Sequence, residues 1–129
     1  MIEYNIKDST ILEVGGRELD FIFNIDKVIE INNTLIVLLG GSFKNKQIVK
    51  MSEQPNNGIY AVSSNGEILW NIEVFFRPGN SYGYRGFPDD NFSAIFKDDD
   101  GNLVVYKFIG IEYTLDIEKK QIISQLFTK

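Results

Sequence analysis

Aromatic and basic side chains concentrate in one stretch of the chain, from Phe75 to Asn91. Glycines and prolines interrupt this stretch, so we expect a loop that is too long to be a simple hairpin turn. Tyrosine, phenylalanine and arginine are enriched at protein interfaces because each covers a large area and can anchor in a pocket. The residues predicted to contact a partner are Arg77, Tyr82, Tyr84, Arg85 and Phe87. The alternative is that the phenylalanines close the core, and Phe75 and Phe76 are the two most expected there.

Five acids follow the aromatic stretch and could add charge to the same surface. They are Asp89, Asp90, Asp98, Asp99 and Asp100. A strand at Phe92 to Lys97 that returned past the loop would bring the two groups together, and such a patch would steer a basic partner and raise its association rate. Alternatively, residues 98–102 are simply a well-solvated hairpin turn, which is the interpretation that their Asp and Gly content favours.

The spacing of Asp98, Asp100 and Asn102 resembles the first ligands of an EF-hand calcium loop. The rest of that motif is missing, because Leu103 stands where glycine is required and Ile109 where a bidentate glutamate is required. The sequence therefore predicts no metal site.

Residues for catalysis are scarce. The chain contains no histidine and no cysteine, which removes Ser-His-Asp and Cys-His relays, ordinary zinc sites and disulfides. Glu67, Glu73 and Glu112 are expected on strands, but sequence gives no carboxyl separation for glycoside hydrolysis. Neither Gly-Gly pair is followed by the lysine of a phosphate-binding loop. We therefore predict a protein that is not an enzyme, with no catalytic residue and no cofactor.

Bulk composition narrows the class of partner. The 129 residues fit one domain, residues 1–129, and the formal net charge of -5 opposes binding to nucleic acid phosphates or anionic lipid. No stretch has the length of a membrane span, and the first residues lack the pattern of a secretory signal. The expected partner is a protein with a basic surface, and the expected location is the cytoplasm.

Short apolar runs separated by Gly, Asn and Asp clusters predict successive strands. The predicted strands are Ile2–Ile6, Thr10–Val14, Leu19–Asn24, Lys27–Ile31, Thr34–Leu39, Gly58–Ser63, Glu67–Ile72, Phe92–Lys97, Leu103–Phe108, Glu112–Asp116 and Gln121–Phe127, with a short one at Gln47–Met51. Tight turns are expected at Gly15-Gly16, Asn32-Asn33, Asn65-Gly66 and Asp100-Gly101, so neighbouring strands should be antiparallel.

This pattern predicts an all-β or predominantly β fold, an antiparallel meander arranged as a twisted open sheet or a two-sheet sandwich. Near-helical spacing leaves a helix as the alternative for Tyr113 to Leu126. The residues expected to help form the core are Tyr60, Val62, Ile68, Trp70, Leu103, Val105, Tyr113 and Leu115.

Two segments, residues 58–70 and 110–123, share an aromatic residue, an alternating strand, a tight turn and a second apolar strand. The first, with Tyr60-Ala61-Val62-Ser63 before Gly66 and Ile68-Leu69-Trp70 after it, resembles the outer hairpin of a blade in pyrroloquinoline-quinone-type β-propellers. Each is preceded by an inner hairpin, so the resemblance implies two blade-like four-strand units. The chain is too short to close a propeller, and the quinone is not implied.

The general character of the chain, short, acidic and without catalytic residues, is similar to that of immunity proteins that neutralise bacterial toxins. This similarity implies a protein-binding module that occludes a toxin's site, with a toxin domain as the partner. Two alternatives stay open. One is a self-associating structural or assembly subunit that pairs through exposed sheet edges. The other is a domain that binds a small ligand, such as a sugar or peptide that stacks on Tyr82 and Tyr84.

Overall fold

A computed structural model of the protein describes residues 1–44, 47–48, 58–76, 92–107 and 110–127. Its strands form three antiparallel sheets. The N-terminal sheet contains β1 (Tyr4–Lys7), β2 (Ile11–Val14) and β3 (Arg17–Asp20). The central sheet contains β4 (Phe23–Ile31), β5 (Thr34–Lys44), β6 (Gln47–Ile48), β7 (Ile59–Val62) and β8 (Ile68–Asn71). The C-terminal sheet contains β9 (Phe92–Lys97), β10 (Leu103–Lys107), β11 (Ile111–Asp116) and β12 (Gln121–Phe127).

The predicted all-β class is confirmed, and the arrangement is sandwich-like. Strands β4, β5, β7 and β8 are hydrogen-bonded in that order, and β9 to β12 pair in sequence order, so the two predicted four-strand units are both present. One feature differs from the two-sheet expectation, because residues 4–20 form a third sheet of their own. A short 3₁₀ helix, Ile72–Phe76, follows β8.

The central sheet lies between the other two and is buried on both faces. Along β5, Leu35, Val37 and Leu39 pack toward the N-terminal sheet with Leu12 and Val14. On the opposite face, Ile36 and Leu38 of β5 join a larger core with the C-terminal sheet. Because successive side chains of a strand point to opposite faces, an unbroken apolar run in β5 supplies both cores at once.

The larger core lies between the central and C-terminal sheets. Its fully buried members include Ile36 and Leu38 from β5 and Tyr113 from β11. Six of the eight predicted core residues are buried, namely Val62, Trp70, Leu103, Val105, Tyr113 and Leu115. Burying a side chain of this size contributes about 1.5–3 kcal/mol.

Two predicted core residues and one predicted strand differ from the structure. Ile68 is 50% exposed because an irregularity between Ala61 and Val62 in the β7–β8 pairing interrupts the alternation on which its burial was inferred. Tyr60 is half-buried. The predicted strand Leu19–Asn24 is broken between β3 and β4. The helix alternative for Tyr113 to Leu126 is excluded, since these residues form β11, a turn and β12.

The break between β3 and β4 is a tight turn centred on Ile22. The amide of Phe23 donates to the carbonyl of Phe21 at 2.7 Å, and Ile22 has a φ of 71°. This is a γ-turn, in which a positive φ is strained and rare for a β-branched residue. The carboxylate of Asp20 accepts a hydrogen bond from the Ile22 amide at 2.9 Å, which helps hold the turn.

Two hairpin turns fix how the N-terminal sheet sits on the central sheet. The predicted turn glycines have positive φ, 61° at Gly15 and 81° at Gly66. A Cβ on Gly15 would lie 2.5 Å from the carbonyl oxygen of Ser64, and a Cβ on Gly66 would lie 2.6 Å from the carbonyl oxygen of Val14. The two backbones therefore meet without room for a side chain.

Replacing Gly15 tests this backbone contact against a matched neighbour. Gly16 has a φ of 78°, but a Cβ there would meet no atom within 4 Å. Gly16→Ala should lower the free energy of unfolding by about 1–2 kcal/mol through backbone strain alone. Gly15→Ala should lower it by about 1–3 kcal/mol more, because backbone atoms must move. Urea denaturation of both variants provides the comparison, and equal losses would contradict the contact.

Replacing Ile22 tests the strain in the γ-turn. Ile22→Gly should be more stable than Ile22→Ala by about 0.5–1 kcal/mol. Glycine adopts a positive φ without strain, and the greater conformational entropy of glycine in the unfolded chain offsets only part of this advantage. Both variants remove the same exposed side chain beyond Cβ, so the difference reports the backbone. Thermal and urea unfolding measure it, and an alanine variant as stable as the glycine variant would show that the turn is not strained.

Candidate functional site

The predicted aromatic surface is divided by the boundary of the described residues. Arg77, Tyr82, Tyr84, Arg85 and Phe87, together with Asp89 and Asp90, lie outside that part of the chain, and their role stays a prediction. Phe75 and Phe76, the last residues of the 3₁₀ helix, are buried in the larger core. The ring of Phe75 packs edge-on against Trp70 with centroids 5.0 Å apart, and Phe76 packs edge-on against Tyr113 at 4.9 Å. Both phenylalanines therefore belong to the core, as expected.

Asp98, Asp99 and Asp100 occupy the turn between β9 and β10 and have different surroundings. The Asp98 carboxylate accepts hydrogen bonds from the amides of Asp100, at 3.0 Å, and Asn102, at 2.8 Å. Asp98 therefore shapes the turn, as the hairpin interpretation held. The side chains of Asp99 and Asp100 are exposed. Of the three carboxylates in this turn, these two are thus the most exposed to solvent.

Strand β9 separates the acidic turn from the start of the hairpin. Six extended residues span about 17 Å between their first and last Cα atoms. The turn therefore begins far from Phe92, where the segment 77–91 ends. Among the described residues, the negative charge available to a partner at this hairpin is that of Asp99 and Asp100 beside the outer face of the C-terminal sheet.

The outer face of the β9–β10 hairpin carries two aromatic side chains. Phe96 on β9 is 37% exposed, and its ring lies 5.5 Å from that of Tyr106 on β10. Val104, which lies opposite Phe96, is buried although it is on this outer face. Period-2 alternation places all three on one side of the sheet. We call Phe96, Tyr106, Asp99 and Asp100 the hairpin surface.

A hydrogen bond holds Tyr106 in place on this surface. Its hydroxyl donates to the carboxylate of Glu112, the residue opposite it on β11. This hydrogen bond, with lesser contributions from burial and from the negative charge of Glu112, raises the pKa of Tyr106 above its ordinary value of 10.0. Tyr106 therefore stays neutral and keeps its orientation throughout the physiological pH range.

The outer face of the N-terminal sheet is polar. Lys7 contacts Glu18 at 2.7 Å and Glu13 at 3.7 Å, and Asn5 donates to Glu13 at 3.2 Å. The hydrogen bond with Glu18 raises the pKa of Lys7, and the same bond lowers the pKa of Glu18. Exposed ion pairs of this kind add little to stability. A groove of about 560 Å³ lies beside them and is lined by Tyr4, Arg17 and several of these polar residues.

A second groove, of about 430 Å³, lies where the β4–β5 and β11–β12 turns meet strand β8. It is lined by Asn32, Thr34, Leu69, Trp70, Ile117, Glu118 and Lys120. The Asn32 side chain donates to Glu118 at 3.4 Å across it, and Trp70 presents little surface, since only 8% of it is exposed. The tryptophan is thus a core residue, as predicted. It offers a ligand too little ring face for stacking.

Sequence reasoning missed one buried cation. Lys107 on β10 is 4% exposed, and its ammonium lies 5.3 Å from the ring centre of Phe92 and 5.6 Å from that of Phe76. Cation–π contacts of this length stabilise a desolvated cation. Lys107 continues the alternation of Leu103 and Val105, whose side chains point into the core. This alternation in the sequence could have identified the Lys107 side chain as buried.

The acids considered for hydrolysis lie on different elements. Glu67 precedes β8, Glu73 is in the 3₁₀ helix and Glu112 is on β11. Only Glu112 lies on a strand, contrary to expectation, and its carboxylate accepts a hydrogen bond from the Tyr106 hydroxyl.

Within the described residues, no group of three or more His, Cys, Asp or Glu could hold a metal ion. That part of the chain also has no helix of the length and apolar character needed to cross a membrane.

Comparison with known proteins identifies a family and no activity. A family model described as a domain of unknown function matches residues 1–127. No curated protein matches the chain. The hairpin surface is therefore judged by its own geometry and charge.

Removal of the Glu112 carboxylate should lower the pKa of Tyr106. Glu112→Gln replaces the charged acceptor by a neutral one of the same size, so ionised Tyr106 becomes less costly. In the unmodified protein, the stability from this bond is fully present below pH 10 and is lost as the pH rises through the raised pKa. NMR or ultraviolet titration measures the shift, with Tyr106→Phe identifying the resonance. An unchanged Tyr106 pKa in Glu112→Gln would refute the bond.

Proposed function

The chain belongs to the DUF7957 family, and we propose that it is a non-catalytic protein-binding module whose partner has a basic surface. The single observation that carries this proposal is the hairpin surface, where a partly exposed aromatic pair and two exposed carboxylates belong to one β-hairpin. Aromatic side chains are common energetic anchors of interfaces, while charges at the rim mainly set the association rate. The two kinds of side chain therefore have separate and measurable roles.

Rigidity supports the anchoring role. Phe96 and Tyr106 lie on paired strands, and Tyr106 is further held by Glu112. An anchor that is already ordered before binding loses little conformational entropy when the partner arrives. Phe96 is the side chain of the pair that projects most into solvent, so it is the one that would enter a partner's pocket.

Charge supports the choice of partner. The whole chain has a formal net charge of -5, and the acidic turn adds local negative charge at the edge of the aromatic pair. A basic surface would be attracted at long range and oriented toward the hairpin. Nucleic acid and anionic lipid would be repelled.

The most concrete form of the proposal is an immunity protein that neutralises a bacterial toxin by covering its site, acting in the cytoplasm. A toxin domain that acts on nucleic acid needs a basic substrate-binding surface, and an acidic binder of this size can occlude such a surface without any chemistry. The 14.8 kDa chain is large enough to bury a standard interface of roughly 800 Å² per partner.

Co-expression with the product of the neighbouring gene tests the immunity form. We expect a one-to-one complex by size-exclusion chromatography and calorimetry, with affinity that falls as salt rises. Phe96→Ala should weaken binding at least tenfold, about 1.4 kcal/mol, mainly through faster dissociation. An unchanged affinity in Phe96→Ala would remove the hairpin surface from the interface, and no complex at low salt would contradict the immunity form.

A charge-matched pair of variants separates the role of the acidic turn from that of net charge. Asp99→Asn with Asp100→Asn should slow association about tenfold at low salt. Glu3→Gln with Glu67→Gln changes net charge equally at two exposed positions outside the hairpin surface, and it should slow association much less. Equal effects of the two double variants in stopped-flow measurements would show that only net charge matters.

A further inference from the structure

Open sheets expose unpaired backbone at their edges, and proteins usually protect such edges against pairing with other chains. Apart from the two-residue β6, which pairs with β5 alone, the described residues include six edge strands, which are β1 and β3 of the N-terminal sheet, β4 and β8 of the central sheet, and β9 and β12 of the C-terminal sheet. Five of them are protected by charge, short length, irregular pairing or a covering side chain. The sixth, β12, has one irregularity in its pairing with β11, at Ile123, but is neither charged nor short.

Charge, short length or irregular pairing protects most of these edges. β3 contains Arg17, Glu18 and Asp20 within four residues, and β1 is equally short and ends in Lys7. β4 contains charged residues, and its pairing with β5 is irregular at two places. β8 has only four residues and continues into the 3₁₀ helix. Each feature discourages a second chain from extending the sheet.

A lysine from another sheet covers the edge of β9. The Lys27 ammonium on β4 donates a hydrogen bond to the backbone carbonyl of Ile95 at 2.8 Å. One acceptor of the β9 edge is therefore already used, and a positive charge lies beside it. Strand β9 also lies against the central sheet, since it contacts both β4 and β5.

Strand β12 is different in length, charge and exposure. It has seven residues, Gln-Ile-Ile-Ser-Gln-Leu-Phe, with no charged residue and no proline. Ile123 is 45% exposed, Leu126 54% and Phe127 72%. Among the described strands it pairs with β11 alone. An uncharged, apolar edge of this length is well suited to receive another strand.

We propose that β12 is the edge through which two copies of this chain form an antiparallel homodimer. A two-fold axis across the edge places the same seven residues on both sides, so one strand supplies the whole interface. The exposed apolar side chains of one copy would then be covered by the other copy, and each copy would complete the other's ladder of backbone hydrogen bonds.

The distribution of charge makes a second copy compatible at this edge. Two chains of net charge -5 repel each other, but β12 itself is neutral and follows Lys119 and Lys120. The exposed acids Asp99 and Asp100 belong to the β9–β10 hairpin at the opposite edge of the sheet, and the exposed Glu118 in the turn before β12 stands beside two lysines. The strand itself therefore adds no like-charge repulsion where the edges would meet.

The size of the contact predicts a weak dimer. A stable complex usually buries roughly 800 Å² on each partner, and a single seven-residue strand edge provides less. The association should thus depend on concentration and stop at two copies, because the described part of each copy has one such edge. Screening of the net charge should make the dimer stronger as salt rises, which is the opposite of the salt effect expected for a basic partner.

Sedimentation equilibrium of the purified protein over a wide concentration series tests the proposal. The mass should rise from 14.8 kDa toward twice that value, and the dimer should be favoured by moderate salt. A mass of one chain at every concentration would overturn the inference. Growth beyond two copies would overturn it as well, because a two-fold pairing of one edge is closed.

Variants locate the contact. Ile123→Lys with Leu126→Lys places charge on the exposed part of β12 and should weaken dimerisation at least tenfold. Ile68→Lys with Leu69→Lys is the matched control, because these two residues of the edge strand β8 are similarly exposed and apolar, and it should leave the dimer unchanged. Equal loss in both variants, or a β12 variant that still dimerises like the unmodified chain, would overturn the assignment. Far-ultraviolet circular dichroism verifies folding of each variant.

Discussion

Burial of β5 on both faces is the constraint on which the rest of the structure depends. Leu35 and Val37 pack toward the N-terminal sheet, while Ile36 and Leu38 pack toward the C-terminal sheet. In most half-buried strands, polar and apolar alternation sets the register, because a slip by one residue would bury the wrong side chains. Both faces of β5 are apolar, so this signal is absent. Its register has to come from elsewhere.

The turn between β4 and β5 provides that information. Asn32 and Asn33 both have positive φ, 49° and 60°, as a two-residue hairpin turn requires. They connect Ile31 directly to its partner Thr34, and the pairing then continues to Val37 opposite Val28. Turn chemistry therefore determines which side chains of β5 enter which core, and through them how the two outer sheets are placed.

Because the central sheet is enclosed on both faces, the described residues leave the outer faces of the other two sheets and the sheet edges for contact with other molecules. The N-terminal sheet presents Lys7, Glu13 and Glu18, which interact with one another. The C-terminal sheet presents the hairpin surface on β9 and β10 and the uncharged edge of β12. Both surfaces that we propose for partner contact thus belong to the second half of the chain.

Local signals determined much of this fold. Alternation and the Gly, Asn and Asp turns correctly predicted the all-β class, nearly every strand and six of eight core residues, because these features depend on neighbours within a few positions. The same signals identified Asp98–Asn102 as a turn and Phe75 and Phe76 as core. They failed at Ile22, where an apolar β-branched residue hides a γ-turn.

Tertiary structure decided what depends on distant neighbours. Ile68 is exposed because of an irregularity in its pairing with β7, and the Asp98 carboxylate is held by the amides of Asp100 and Asn102. Nothing in the order of residues shows that Lys27 contacts the backbone of β9, or that β12 pairs with β11 alone among the described strands. Such facts depend on which sheets pack together, and packing is the sum of many contacts between residues far apart in the chain. The sequence by itself determined the strands and turns, and the packing of the sheets decided which of their faces and edges can bind.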